Sequence, residues 1–277
     1  MKIGYLGPKN SFTFQAANKL FEENKLVPFA SIPLTIEQLE NKFIDFAVVP
    51  IENSLEGSVR ATIDYLFEQS GVTVKEEIIL PIQQQLIGIN SIKQPQKILS
   101  HPQALAQTKQ YLKTYYPEVP LEAVNSTTFA AQYIAEHPEE NLLAIASEKA
   151  AEEYNLNIIA SNIQDNATNQ TRFWVLSLDK SSQITMNLQE KKISLFVTLP
   201  ANVPGALHQV LSAFAWRKID LSKIESRPLK TNLGEYFFII DIVLEENETL
   251  IENAIKEIVL LQVKVQWVGT YPINKFT

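Results

Sequence analysis

The chain has 277 residues, 45% hydrophobic and 20% charged, with a formal net charge of -7 and no cysteine. That composition supports more than one globular core. The acidic balance, without a Lys/Arg block, argues against a nucleic-acid partner, and the missing thiols exclude disulfides, thiolate metal sites and a cysteine nucleophile. The apolar run at Met1–Pro8 is too short for a signal peptide, and no stretch approaches the roughly 20 apolar residues of a membrane span. The expected compartment is the cytoplasm, with no membrane partner.

The first part alternates short apolar strands with amphipathic helices. Ile3 to Leu6 reads as a strand, followed by a helix from Asn10 or Ser11. Thr35 opens a helix leading to the buried strand Phe46 to Val49, which ends at Pro50. Ser58 to Glu68 reads as helix, and Val72 to Ile89 holds two strands separated near Pro81. Lys97 to Leu99 leads into a helix from Pro102 with Leu105, Leu112 and Tyr116 on one face. Phe129, Ala130, Tyr133 and Ile134 form a stripe at helical spacing. Ser126 opens that helix, and the strand Leu142 to Ile145 ends at Ser147, which opens the next. Such alternation predicts an α/β fold with largely parallel sheets. Two units that each deliver polar groups at the carboxyl end of a strand suggest two lobes facing one cleft.

Residues 179–192 are rich in Lys, Ser, Gln and Asn and read as a linker. The remainder has βαββαβ order. Ile193, Leu195 and Val197 alternate with Ser194, Phe196 and Thr198; Leu207, Val210, Leu211 and Phe214 share a helix face. Strands follow at Asp220 to Arg227 and Glu235 to Val243, turned by Thr231 to Gly234. Ile251, Ala254, Ile255 and Ile258 form a second helix face, and Val263, Val265 and Trp267 a last strand. That order fits a ferredoxin-like sandwich. Phe237 to Ile240 is apolar on both faces, so the second face needs a cover, and a second copy of the chain is the simplest one.

Polar groups crowd at the strand ends. Gly7 to Thr13 joins a strand to a helix start, where free N–H groups suit a carboxylate, or where Ser11 simply caps the helix. Pro50 to Ser58 follows a buried strand. In Ser100-His101-Pro102-Gln103-Ala104-Leu105, His101 reads first as a hydrogen-bonded structural residue and second as a general acid. His137 and His208 have no ligand-like spacing with it, so no metal site is expected. In Asn169-Gln170-Thr171-Arg172-Phe173, Arg172 could grip a carboxylate with two hydrogen bonds, Thr171 offers a hydroxyl, and Phe173 an apolar wall.

Gly-Pro-x-x-Ser-Phe, Pro-Ile-Glu-Asn-Ser-x-Glu-Gly-Ser-Val, Ser-His-Pro-Gln-Ala-Leu, Thr-Arg-Phe and Glu-Ser-Arg-Pro stand in the order seen in prephenate dehydratases, from Gly4 to about Tyr271. The chain resembles that family. The resemblance implies a catalytic domain over 1–180 with two lobes like those of periplasmic binding proteins, about 1–78 with 162–180 and 79–161. It also implies an ACT regulatory domain over 193–272 that binds phenylalanine at a subunit interface in a homodimer or homotetramer. No chorismate mutase segment precedes Ile3, which suggests the monofunctional form. Two departures stand out. Asn10-Ser11 replaces the usual Gly-Thr or Gly-Ser, a change the turn should tolerate because Asn adopts the left-handed conformation readily. His208 stands where the family usually has Val, which bears on effector affinity more than on catalysis.

The implied reaction is decarboxylative dehydration of prephenate to phenylpyruvate, with no cofactor and no metal. By resemblance Thr171 donates to the leaving hydroxyl, Arg172 anchors a carboxylate or braces its loop, and Phe173 lines the ring slot. Asn10, Ser11, Phe12, Asn53, Ser54, Ser100, Gln103 and Ser126 complete the substrate lining. Asn202, Gly205, Ala206, Leu207, His208, Glu225, Ser226, Arg227 and Pro228 form the effector site. The alternative classes are a non-catalytic two-lobed binding protein and an amino-acid-sensing regulator.

Overall fold

The computed structural model describes all residues except 69–70, 91–93, 180, 182–183, 185–189, 201–202, 231–234, 245–247 and 277. The chain divides into two compact units, Met1–Tyr65 with Ile78–Trp174 and Lys275–Thr277, and Leu66–Glu77 with Val175–Asn274. In chain order the elements are β1 (Ile3–Leu6), α1 (Phe12–Asn18), β2 (Leu26–Phe29), α2 (Ile32–Glu40), β3 (Phe46–Asn53), β4 (Gly57–Ser58), α3 (Arg60–Glu68), β5 (Thr73–Pro81), β6 (Gln85–Gly88), β7 (Lys97–Ser100), α4 (Pro102–Gln107), α5 (Lys109–Tyr115), β8 (Leu121–Ala123), α6 (Thr127–Glu136), β9 (Leu142–Ala146), α7 (Glu148–Glu153), β10 (Asn157–Ala160), β11 (Gln170–Ser177), β12 (Lys191–Thr198), α8 (Ala206–Ala215), β13 (Leu221–Pro228), β14 (Tyr236–Leu244), α9 (Glu248–Leu260) and β15 (Lys264–Lys275). Among the described residues no helix is long and apolar enough to cross a membrane.

The first unit has two lobes, each built on its own sheet. In one, the order is β2-β1-β3-β11, with the second half of β5 beyond β11 and β4 folded against β3. In the other it is β10-β6-β9-β7-β8. Every residue of β9 is buried, because α6 and α7 cover one face of that sheet and α4 and α5 the other.

Several boundaries differ from the sequence reading, for local reasons. The helix expected from Thr35 starts at Ile32, because Ser31 caps it and Pro33 suits its first turn. Strand β3 runs past Pro50 to Asn53, since Glu52 and Asn53 pair with Ser58 and Gly57. The same pairing holds Ser58 in a strand, so α3 begins at Arg60. The single helix expected after Pro102 is broken at Thr108 (φ -120°, ψ 15°). Its second half is capped from afar: the Asp165 carboxylate accepts from Gln110 N at 3.1 Å. The short strands β2, β8 and β10 had no clear sequence signature.

The second unit has the expected βαββαβ order. Its sheet runs β13-β14-β12-β15, followed by Thr73–Glu77 of β5. Ile193, Leu195, Val197, Ile240 and Ile242 pack against α8 and α9 through Val210, Phe214, Ile251 and Ile258. The turn expected at Thr231 to Gly234 lies outside the described residues. The last strand is longer than expected. It includes Gly269, where a Cβ would meet the Val74 carbonyl oxygen at 2.5 Å.

The opposite face of this sheet carries Phe196, Phe237 and Ile239, and its cover is not a second copy. Phe196, Phe237 and Ile239 are buried within the single chain. Phe67 stacks on Phe237 at 3.8 Å and meets Phe196 edge-on at 5.7 Å. Ser194 sits at the centre of this face, donating to Asp241 Oδ1 at 2.5 Å and lying 2.6 Å from the Tyr271 hydroxyl. The Phe67 stack predicts that Phe67→Ala lowers stability by about 2–3 kcal/mol, with Phe67→Leu losing less; urea unfolding of the full chain measures both.

Candidate active site

A cavity of about 270 Å³ opens between the two lobes of the first unit, near the lower end for small-molecule pockets. One wall comes from Leu6, Gly7, Pro8, Ser11, Phe12, Thr13, Pro50, Asn53, Thr171 and Phe173; the other from Ile82, Gln84, His101, Gln103, Ala104, Gln107 and residues 125–128. Both walls draw on the carboxyl ends of parallel strands, where open α/β sheets place their ligands.

The loop after β1 turns on Asn10, whose φ is 63°, so Asn takes the left-handed position expected of it. Asn10 O accepts from Ser147 Oγ at 3.3 Å and Lys9 Nζ meets Glu153 at 3.2 Å, which ties this loop to the other lobe. Ser11 lines the cavity, but its hydroxyl is committed: it caps α1 by accepting from Phe14 N and donates to Leu6 O, each at 3.2 Å.

Strand β3 delivers Asn53 into a tight turn. Asn53 Oδ1 accepts from Leu55 N at 3.0 Å and Glu56 N at 3.2 Å. Backbone N–H groups can only donate, so they fix which end of the amide is the oxygen. Asn53 Nδ2 therefore faces Thr171 Oγ1 at 2.9 Å and Asn169 Oδ1 at 2.8 Å. Because Thr171 Oγ1 accepts there, its own hydrogen is left to point elsewhere, and the residue lines the cavity.

Alternation along β11 separates the Thr-Arg-Phe triplet. Thr171 and Phe173 line the cavity. Arg172 projects to the opposite face, where Nη1 donates to Glu52 Oε2 at 2.6 Å, linking β11 to β3. Among the described residues the cavity lining contains no Lys or Arg.

Among the sequence-predicted residues the structure thus brings Ser11, Phe12, Asn53, Gln103, Ser126, Thr171 and Phe173 to one cavity. Asn10, Ser54, Ser100 and Arg172 lie outside its lining. Ser54 accepts from Gln170 N at 3.0 Å, and Ser100 is buried and donates to Ile145 O at 2.6 Å. Sequence reasoning missed Gln84, Gln107 and Thr128. Each is buried, and each holds a polar atom with no partner among the described residues: Gln84 Oε1, Gln107 Nε2 and Thr128 Oγ1. Thr128 sits in the first turn of α6, where free N–H groups also face outward.

In the second unit Gly205 takes φ 79° at the start of α8, with nothing within 4 Å of a Cβ. Its conformation, rather than a close approach, requires glycine. Ala206 is buried, Leu207 half-buried and His208 exposed. Glu225, Ser226, Arg227 and Pro228 end β13, with Lys223 Nζ 3.2 Å from Glu225. Asn202 lies outside the described residues.

The family model for prephenate dehydratase matches residues 3–181, and that for the ACT domain residues 193–259. The chain belongs to the prephenate dehydratase family. A prephenate dehydratase of Lactococcus lactis subsp. lactis is 47% identical over 274 residues, covering 99% of this chain and 98% of the relative. One of Bacillus subtilis is 44% identical over 280 residues, covering 98% of each. The crystal structure of prephenate dehydratase in complex with L-Phe from Arthrobacter aurescens superposes with a TM-score of 0.87 at 28% identity, covering 98% of this chain and 90% of that one. Prephenate dehydratases are carbon–oxygen lyases, and the cavity described above falls within the part of the chain that the family model matches.

His101 adds a pH dependence to this site. Its Nδ1 accepts from Gln103 N at 3.3 Å, capping α4, and burial pushes its pKa below the ordinary 6.5. The unfolded chain therefore binds this proton more readily than the folded one. Stability from this group is full above about pH 6.5 and is lost as pH falls through that value toward the lower folded pKa. Thermal melting between about pH 8 and 5 is expected to show this decline in the parent and a flatter profile in His101→Asn, which keeps a capping oxygen but does not titrate.

Proposed function

We propose that the chain converts prephenate to phenylpyruvate, carbon dioxide and water. The observation that carries this reading is the Thr171 hydroxyl, polarised by Asn53 and standing with Phe173 on the wall of the cavity. Prephenate is a cyclohexadienol with a ring carboxylate and a pyruvyl carboxylate. As the ring carboxylate leaves as carbon dioxide, its bonding pair enters the ring and expels the hydroxyl group as hydroxide, which takes a proton from solvent to become water, and the ring becomes aromatic. The barrier lies in the poor leaving group. A donor already aimed at the departing oxygen gains strength as charge develops there. Thr171 fits that role because its lone pair is engaged by Asn53 Nδ2 and its hydrogen is not. Phe173 offers the ring an apolar wall, and Gln103, Ser126 and the first turn of α6 offer neutral donors to the carboxylates. Arg172, paired with Glu52, acts as the brace of β11 against β3.

The C-terminal unit supports a second part of the same reading: phenylalanine as effector, held by residues around Gly205 and by the end of β13, with a second subunit completing the site. The ACT match and the L-Phe complex of the Arthrobacter aurescens relative support it.

Two outcomes test these assignments. Thr171→Val keeps shape but loses the hydroxyl, and is expected to cut kcat about 10²- to 10³-fold with KM little changed; phenylpyruvate absorbance measures it, and an unchanged kcat removes Thr171 from the mechanism. Calorimetry of the full chain is expected to detect phenylalanine binding, with His208→Val binding more tightly; no heat at saturating phenylalanine removes the effector assignment.

A further inference from the structure

Pro50 stands in an unusual place. Strand β3 lies between β1 and β11, inside its sheet, and Pro50 is the fifth of its eight residues. Proline has no N–H, so an interior strand loses a ladder hydrogen bond there, and proline is normally confined to edges, strand starts and bulges. The loss falls where β3 becomes cavity wall: Pro50 lines the cavity, and Asn53 follows three residues on. The register of β1 against β3 runs from Phe46 to Val48, so other groups hold the strand beyond it.

The segment that returns after the Asn53 turn supplies part of that hold. Val59 N donates to Ile51 O at 2.8 Å, and Ser58 and Gly57 stand opposite Glu52 and Asn53. At Pro50 the tie is a side chain: Thr62 Oγ1 donates to Pro50 O at 2.6 Å. Thr62 lies in the first turn of α3 and is 0% exposed. A helical threonine ordinarily turns its hydroxyl to a carbonyl of the preceding turn. Thr35 does so with Ser31 O at 2.8 Å and Thr114 with Gln110 O at 2.9 Å. Thr62 instead reaches twelve residues back, to the strand. Its hydroxyl is thus placed at the residue where β3 has no N–H of its own to give.

We propose that Thr62 is a positioning residue for the reaction: its hydroxyl holds the Pro50 carbonyl and so fixes the end of β3 from which Asn53 polarises Thr171. The inference rests on the prephenate reading. Asn53 Nδ2 meets Thr171 Oγ1 at 2.9 Å, a length that changes directly with any shift of the strand end. Thr62 is not among the residues that line the cavity, so it acts on the substrate through β3. The Thr171 hydroxyl gains strength as charge develops on the departing oxygen. A slackened strand end therefore lowers turnover and leaves ground-state binding nearly unchanged.

Steady-state kinetics of the full chain with prephenate test this role. Thr62→Val keeps the shape and removes the hydroxyl. Its kcat is expected to fall ~10- to 100-fold, the scale on which a small misplacement of a reacting group acts, with KM within ~3-fold of the parent. Thr62→Ser keeps the donor, and its kcat is expected to stay within ~3-fold of the parent. If Thr62→Val fails to fold, Thr62→Ala against Thr62→Ser carries the same comparison. In a Thr171→Val background no hydroxyl is left to position, so the loss on adding Thr62→Val should shrink to under ~3-fold. A merely structural Thr62 would instead lower the thermal midpoint and leave kcat of the folded chain alone. Three results overturn the assignment while an active parent keeps the prephenate reading. They are a kcat within ~2-fold of the parent for folded Thr62→Val or Thr62→Ala, a Thr62→Ser loss equal to theirs, and a loss that multiplies in full with that of Thr171→Val. A parent that does not turn over prephenate overturns both.

Discussion

Two backbone N–H groups on the Asn53 oxygen set the polarity of the whole cavity wall. Leu55 N and Glu56 N can only donate, and from that constraint follow the orientation of Asn53, the state of the Thr171 lone pair and the direction of the Asn169–Gln107 link. Aspartate at 53 would supply acceptors on both sides and take the Thr171 hydrogen for itself. Glutamine would be one methylene too long to reach its own turn and Thr171 together. The turn therefore matters less as a loop than as a fixed pair of donors at the end of β3.

The second unit uses its chain differently. One face of its sheet meets two helices, as a ferredoxin-like order requires. The other is covered by Phe67, which joins an aromatic cluster with Phe196 and Phe237. Beside those rings lies the fully buried set Ser194, Asp241 and Tyr271, satisfied by its own short hydrogen bonds. This face is a second core with a polar centre, so its apolar residues do not by themselves call for a partner subunit. An assembly of chains rests instead on the proposed effector site, where the end of β13 and the start of α8 remain at least partly exposed except for Ala206.

Much of this was legible in local sequence. The strands that end at Leu6 and Ala146, the caps Ser11, Ser126 and Ser147, and the left-handed Asn10 each follow from a short-range rule. Two further features were equally local. Pro33 after Ser31 marked an earlier start for α2. Strict alternation in β11 put Arg172 on the face opposite Thr171 and Phe173. What no local pattern carries is contact across the chain. Gln107 and Asn169 are 62 residues apart, and Asn53 and Asn169 are 116 apart. Asp165 caps α5 from 55 residues away. A lone glutamine in a helical stretch looks like solvent-facing filler until the partner of its oxygen is known. The roof over the C-terminal sheet escaped for the same reason, since Phe67 lies in a helix that reads as part of the preceding domain.

That no Lys or Arg stands among the described lining residues bears on the chemistry proposed for the cavity. A dianion could be held more tightly by arginine, yet Arg172 is turned away and paired with Glu52, and the lining residues are neutral apart from His101, whose charged form burial disfavours. In a decarboxylation the negative charge leaves the departing carboxylate as the bond breaks. A guanidinium fixed on that group would favour the ground state over the transition state and raise the barrier. Neutral donors hold the same group with a weaker grip that costs less when the charge moves away. The charge that appears does so on the leaving hydroxyl oxygen, which is where the Thr171 hydroxyl, polarised by Asn53, is assigned. A neutral pocket with oriented amides is thus suited to a reaction in which charge must leave one end of the substrate and arrive at the other.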